Sequence, residues 1–511
     1  MSETTSALSR AAQFLRVYKL RVLGISAAIL IPCFWHRRIL SSDMGSHLYN
    51  AWLAQLIHRG QAPGLSFNHP WTNILFDYVL SGLGTAFGFD AAEKIGAALA
   101  VLIFFWGAFA LVSAAGDRAP WFLLPCLALA TYGWTFQVGF FNYYISLGLS
   151  FLGLAIFWRG KGWERALPIV LIPLMLAAHP LGVLWLAGAA AYVRIAQSLR
   201  PRYHVFLLLI ATAVIYAGHY YFFHRHIGDP ENDPIYLFNG ADQLLLFNVR
   251  YLPFSLFNFR HPRVLLPHGR YAWPAWGILL FAVLSIIADA VRRRTNRESW
   301  ADYAIPLQLY VVVEIGVFLL PKAVHFPQTV PALALLTERL TSVSAITACC
   351  ILAVMRPSRW HLTGSAVVAV IFFSLLYRDT GSINKMEAQA EELVRTLPPG
   401  QRVTASIFFP DNRVMVQHMI DRACIGYCFS YGNYEPSTGM FRVRADDENP
   451  YVLSDYEDAI STEEGDYTVQ PEDLPVWQVY QCSMKGTELC ISPIEAGEEN
   501  DHLGVHANQI K

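Results

Sequence analysis

Charge is scarce in this sequence. Asp, Glu, Lys and Arg make up 15% of its 511 residues, where an ordinary soluble chain carries about 25%. The shortage lies mostly before residue 378, and it excludes a soluble globular protein over that stretch. A formal net charge of −1 offers no electrostatic excess to a phosphate backbone, so no nucleic-acid partner is expected. Also missing are a Walker loop, a dinucleotide-binding glycine fingerprint and a Ser-His-Asp order. No short-period repeat and no low-complexity linker stands out. No small-residue cleavage site follows the first apolar run, 22–35, which therefore reads as a retained signal anchor behind Arg10, Arg16, Lys19 and Arg21.

What is present in place of charge is long apolar runs. GAALAVLIFFWGAFALVSAA (96–115) is long enough to cross a bilayer core of about 30 Å. Spans are proposed at 20–36, 92–115, 119–136, 140–158, 166–178, 181–196, 204–223, 271–290, 302–320, 329–355 and 361–377. The short loops RGKGWER (159–165), RIAQSLRPRYH (194–204), VRRRTNR (291–297) and RPSR (356–359) are basic. Eleven spans with a cytoplasmic N-terminus put all four on the cytoplasmic side, as the positive-inside rule requires. A twelfth span over 69–89 would reverse them. That segment contains Asp77 and several glycines, and it reads as an interfacial or re-entrant helix.

The expected protein is a polytopic α-helical inner-membrane protein over 1–377. Its first loop (37–91), its loop 224–270 and a C-terminal α+β domain (378–511) are extracytoplasmic. The C-terminal stretch has soluble composition, a helix-like start at 386–397 and strand-like runs at 402–409, 440–445, 477–482 and 488–494. Cys424, Cys428, Cys482 and Cys490 read as one or two disulfides in an oxidising compartment, with connectivity open. The aromatic-rich CIGYCFSYGNYEPSTGMFRVRA (424–445) suits a small core as well as a carbohydrate surface, and core is favoured.

Chemistry concentrates just after the first span, in SSDMGSHLYNAWLAQLIHRGQAPG (41–64). On a helix, Asp43, His47 and Asn50 lie close to one stripe, with Leu48, Trp52 and Leu56 on an apolar face. Such a helix would lie along the membrane surface with its polar stripe toward a cavity. Two roles compete for Asp43: a catalytic carboxylate, or an N-cap for this helix.

An aspartate directly after the first span, then D-x-x-x-H-x-Y, then a glycine, resembles the first outer loop of GT-C superfamily membrane glycosyltransferases. These include protein O-mannosyltransferases and lipid A aminoarabinose transferases. The glycine-punctuated stretch that leads into the second span and the C-terminal outer domain are similar too. The resemblance implies transfer of a sugar from a polyprenyl-phosphate donor to a glycan, lipid or protein acceptor, among membrane lipids. It assigns the general base to Asp43, the residue that matches the family's first-loop acid. Met44 stands where some relatives have a second acid. A divalent metal is admitted by the resemblance, but nothing in the sequence requires a cofactor, and no metal ligands are named.

Further substrate-binding candidates follow from charge placed beside or inside apolar runs, where it is costly unless used. They are His47; His179, in the turn before Pro180; Lys322 and His325, in PKAVHFPQ (321–328); and Arg339, next to Glu338 inside a span. Arg339 has the planar fork that suits a phosphate. His224 and His226 form at most a weak metal pair. A transporter or flippase for a lipid-linked or anionic solute is the competing class, using the same intramembrane charges as a pathway.

Overall fold

The structure is a computed structural model. It describes residues 7–225, 272–296, 300–321, 323–325, 333–356, 358–407, 416, 418–483 and 487–498. Lys322, His226 and most of the loop 224–270 lie outside the described residues.

The chain is mostly helical with a small sheet region. The helices before the C-terminal region are α1 (Ala7–Ile29), α2 (Ile31–Phe34), α3 (Met44–His58), α4 (Leu75–Phe87), α5 (Phe89–Gly116), α6 (Leu124–Thr131), α7 (Trp134–Val138), α8 (Phe141–Arg159), α9 (Ile172–Ala178), α10 (Pro180–Ser198), α11 (His204–His224), α12 (Ala272–Asn296), α13 (Ala301–Leu319), α14 (Leu336–Val354) and α15 (Arg359–Val394). Among the described residues, six helices are long and apolar enough to cross a membrane: α5, α8, the stretch Pro201–His224 that holds α11, α13, α14 and α15.

Two expectations need correction. The proposed span 119–136 is not one helix. It breaks between α6 and α7, where Gly133 adopts an extended backbone. The short α7 then ends at Gly139, with φ 95°. The second correction concerns the surroundings of α3, whose polar stripe and apolar face are both enclosed by protein over its first two turns. Residues Met44 to Ala51 are all buried, because α4 packs on one side and the C-terminal region on the other. The segment 69–89, by contrast, does hold a short apolar helix, α4.

α15 is 36 residues long, about 54 Å at 1.5 Å per residue. That exceeds the ~30 Å hydrocarbon core, so one continuous helix joins the last span to the C-terminal region. Beyond it, β2 (Arg402–Ser406), α16 (Met419–Cys424), β3 (Phe429–Ser430), β4 (Val443–Ala445), α17 (Tyr456–Glu464), β5 (Val476–Gln481) and β6 (Leu489–Ile494) follow. One sheet has the order β3-β2-β5-β6, parallel at β2–β3 and β2–β5 and antiparallel at β5–β6. A second, two-stranded sheet pairs β1 (Leu65–Phe67) of the first loop with β4, in the register Leu65 opposite Ala445. Disulfides join Cys424 to Cys428 and Cys482 to Cys490. The first loop and the C-terminal region thus fold on each other, and the site lies where they meet.

Candidate active site

Backbone fixes Asp43 before its side chain acts. The N–H groups of Ser42 and Asp43 donate to the carbonyls of Gln137 and Val138, at 2.9 and 3.0 Å. The Ser41 hydroxyl donates to the Phe136 carbonyl, at 2.8 Å. These bonds satisfy the carbonyls at the C-terminal end of α7, which the helix itself leaves unpaired. Gly139 makes the approach possible, since a Cβ there would lie 2.7 Å from the Asp43 nitrogen.

The Asp43 carboxylate does not cap α3. Asp43 occupies the N-cap position, but its side chain accepts no hydrogen bond from the helix backbone. It is 21% exposed and turns instead toward cations. Burial raises its proton affinity, opposed by His418, His47 and Arg339, and the net shift is upward from the ordinary aspartate value.

His47, one turn along α3, is buried. Its Nδ1 lies 2.8 Å from Asp77 Oδ1 on α4, and its ring meets the edge of Phe76. Burial disfavours the imidazolium, but Asp77 outweighs it and lifts His47 to about 9. Behind this pair lies Glu435, which accepts from the Ser46 hydroxyl at 2.8 Å. Its burial, only partly offset by His47, pushes it up to about 7.

His418 closes the site from the C-terminal region. Its Nε2 lies 3.8 Å from Asp43 Oδ1, an ion-pair distance, and its Nδ1 lies 2.9 Å from Asp421 Oδ2 on α16. Arg339 closes it from α14. Its guanidinium stacks over the Phe140 ring at 3.7 Å from the centroid and flanks Tyr143 at 5.5 Å. Its Nε donates to the Ala334 carbonyl at 3.2 Å, and the Tyr143 hydroxyl donates to the Arg339 carbonyl at 2.9 Å. The residue before α14, Leu335, is left-handed with φ 57°, a conformation a non-glycine residue adopts only when its surroundings demand it.

Of the residues expected from sequence, Asp43, His47 and Arg339 share one electrostatic cluster. His179 stands next to it, edge-on to Tyr143 at 5.5 Å, and its Nδ1 accepts from the Leu181 N–H to cap α10. His325 is exposed beside the bridge between Val324 and Leu333, and among the described residues no hydrogen bond or ion pair ties it to the cluster. Lys322 is outside the described residues. Sequence reasoning missed Asp77, His418, Asp421 and Glu435 as partners. No group of three or more His, Cys, Asp or Glu is arranged to hold a metal among the described residues. Chemically, the cluster is a partly exposed carboxylate with cations around it.

No family model matches the chain, and no curated protein matches it. Solved structures do. The oligosaccharyltransferase of Archaeoglobus fulgidus in its apo form is 14% identical over 81% of this chain, with a TM-score of 0.37. The chain spans 64% of that protein's length. ArnT from Cupriavidus metallidurans in the apo state is 11% identical over 91% of this chain and 93% of its own, with a TM-score of 0.38. AglB from Archaeoglobus fulgidus, in complex with an inhibitory peptide and a dolichol-phosphate, is 11% identical over 92% of this chain and 70% of its own, with a TM-score of 0.37. A likeness at this level assigns no residue a role. The solved structures that this chain is similar to are GT-C superfamily glycosyltransferases, the family that its first-loop motif resembles.

Proposed function

We propose that this protein is an integral-membrane glycosyltransferase. It moves a sugar from a polyprenyl-phosphate donor to an acceptor hydroxyl, with the first loop and the C-terminal region on the extracytoplasmic side. The observation that carries the reading is the Asp43 carboxylate: placed by backbone bonds, free of any capping bond, partly exposed and facing Arg339. A carboxylate that neither caps a helix nor sits fully solvated is placed for proton transfer.

In this reading Asp43 takes the proton from the acceptor hydroxyl. The acceptor oxygen forms a bond to the anomeric carbon as the bond from that carbon to the phosphate oxygen breaks. The lipid phosphate leaves with the electron pair, and its negative charge is met by Arg339, whose plane is held over Phe140. The pair His47–Asp77 braces α3 against α4, so that Asp43 keeps its aim. His179 lies against the Tyr143 ring that flanks Arg339 and lines the same side. The dolichol-phosphate complex of the archaeal oligosaccharyltransferase is a lipid-phosphate precedent among the similar structures.

The test is transfer from a radiolabelled polyprenyl-phosphate sugar by purified protein. Asp43→Asn is expected to lower the rate by about 100-fold or more, within the range of general-base catalysis. Transfer at the wild-type rate by that variant removes Asp43 from the chemistry. Wild-type protein that transfers from no lipid-linked donor, yet carries such a solute into liposomes, removes the enzyme reading.

A further inference from the structure

Among the described residues, His418 of the C-terminal region reaches Asp43, and its imidazole stands between two carboxylates. Its two nitrogens lie 3.8 Å from Asp43 and 2.9 Å from Asp421. The side chains of His418 and Asp421 are 2% and 3% exposed, against 21% for Asp43. Asp43 is therefore partly exposed, with His418 buried behind it. The placement does not depend on a flexible side chain alone. A Cβ at Gly45 would lie 2.2 Å from the carbonyl oxygen of His418, so the backbone at 418 is seated directly on α3. Asp421 is held in turn by the Ser430 hydroxyl.

Among the described residues, the charged and titratable groups around this imidazole are Asp43 before α3, Asp421 on α16, and Tyr434 and Glu435 after β3. Beyond Asp43 stand His47 with its partner Asp77, and Arg339. Asp43, Asp421 and Glu435 thus place carboxylates around His418. A base must be ionised to accept a proton, and burial works against that at Asp43. A donor phosphate at Arg339 would add negative charge and favour the protonated acid further.

We propose that His418 keeps the Asp43 carboxylate ionised and fixed in its aim, with Asp421 holding His418 charged and in place. His418 is then a positioning residue, supplied by the C-terminal region to a base on the first loop. The proposal rests on the reading of Asp43 as that base.

The experiment titrates the Asp43 carboxyl by infrared difference spectroscopy on the full-length protein in nanodiscs, its band assigned by its loss in Asp43→Asn. His418→Gln is expected to raise the midpoint by about one unit, a tenfold change in proton affinity. Asp421→Asn is expected to raise it in the same direction by less. In the transfer assay, the acidic limb of kcat/KM moves upward by the same amount, and the rate recovers at high pH; a merely structural loss would not recover. A midpoint unmoved in both variants overturns the proposal, whatever transfer does. A raised midpoint in protein that transfers from no lipid-linked donor supports His418's effect on Asp43 and removes the glycosyltransferase reading. Should His418→Gln not fold, Asp421→Asn decides by the same titration.

Discussion

Gly45 is the least chemical residue of the first-loop motif and the most tightly confined. A glycine inside a helix ordinarily costs about 0.5–1 kcal/mol relative to alanine, so replacing it usually stabilises. Here the added methyl would meet the carbonyl oxygen of His418 at 2.2 Å and its carbon at 3.1 Å. Those are backbone atoms, and they cannot yield without moving α16. Gly45→Ala is therefore expected to destabilise by roughly 1–3 kcal/mol, the scale of an overpacked core, and to lower transfer by pushing His418 from Asp43. A thermal midpoint at or above wild type would show the contact to be slack. At this scale, Arg339 stood out because charge within an apolar run needs a partner or a task, and Asp43 and His47 through the first-loop motif; the structure brings the three into one electrostatic cluster. Asp77 was open to the same argument. It counts against a span over 69–89, and the partner it needs is His47. His418 and Asp421 were not legible. HMIDRAC offers only a histidine and an aspartate three apart, and the link to Asp43 exists only once distant segments have folded together.

Apolar runs were legible as helices for a simple reason: a long run without charges has few other ways to satisfy its backbone. What the runs do not encode is where a helix stops inside one. The break between α6 and α7 depends on Gly133, and α7 matters because its end anchors residues 41–43. Nor does composition encode that α15 passes uninterrupted through residue 378. That continuity is reinforced by a buried ion network around Arg422. Its guanidinium donates to Glu387 on α15 at 2.7 Å, lies 3.5 Å from Glu93 on α5, and donates to the Ile39 carbonyl at 3.2 Å. Arg38 joins the same network 3.9 Å from Glu93. The Glu93 side chain is 0% exposed and that of Glu387 8%. Arg422→Met leaves both carboxylates short of their main partner and is expected to cost roughly 3–5 kcal/mol, the scale for breaking a buried pair from one side. Adding Glu387→Gln to it should recover part of that loss. Chemical denaturation of the two variants checks it; equal stability of Arg422→Met and wild type would mean that the network contributes nothing.

For the molecule as a whole, the change in composition near residue 378 is not a break in packing. One apolar core runs from Ile29 to Leu489, β1 pairs with β4 across the divide, and the cluster around Asp43 draws on both sides. The polar centre of that junction should govern how stability responds to pH. Glu435 is raised from 4.5 to about 7, and His47 from 6.5 to about 9. Both shifts are upward, so the folded protein binds more protons than the unfolded chain, and stability falls as pH rises. Glu435's contribution is full below 4.5 and gone above about 7; that of His47 is full below 6.5 and gone above about 9. Groups shifted the other way act on the acid side: Glu391 beside Arg395 and Arg38 acts below 4.5, and His179, held by burial well below 6.5, opposes the trend below 6.5. The thermal midpoint of the purified protein is thus expected to decline between about pH 6.5 and 9, and less steeply from pH 5 to 6.5, where His179 opposes Glu435. Glu435→Gln keeps the acceptor for Ser46 without the titration, and it should flatten the lower half of the decline. Asp77→Asn removes the carboxylate that holds the His47 proton, and it should flatten the upper half while lowering stability throughout. A midpoint that rises from pH 5 to 9, or a slope that neither variant changes, would place the pH response elsewhere than at the seam between the first loop and the C-terminal region.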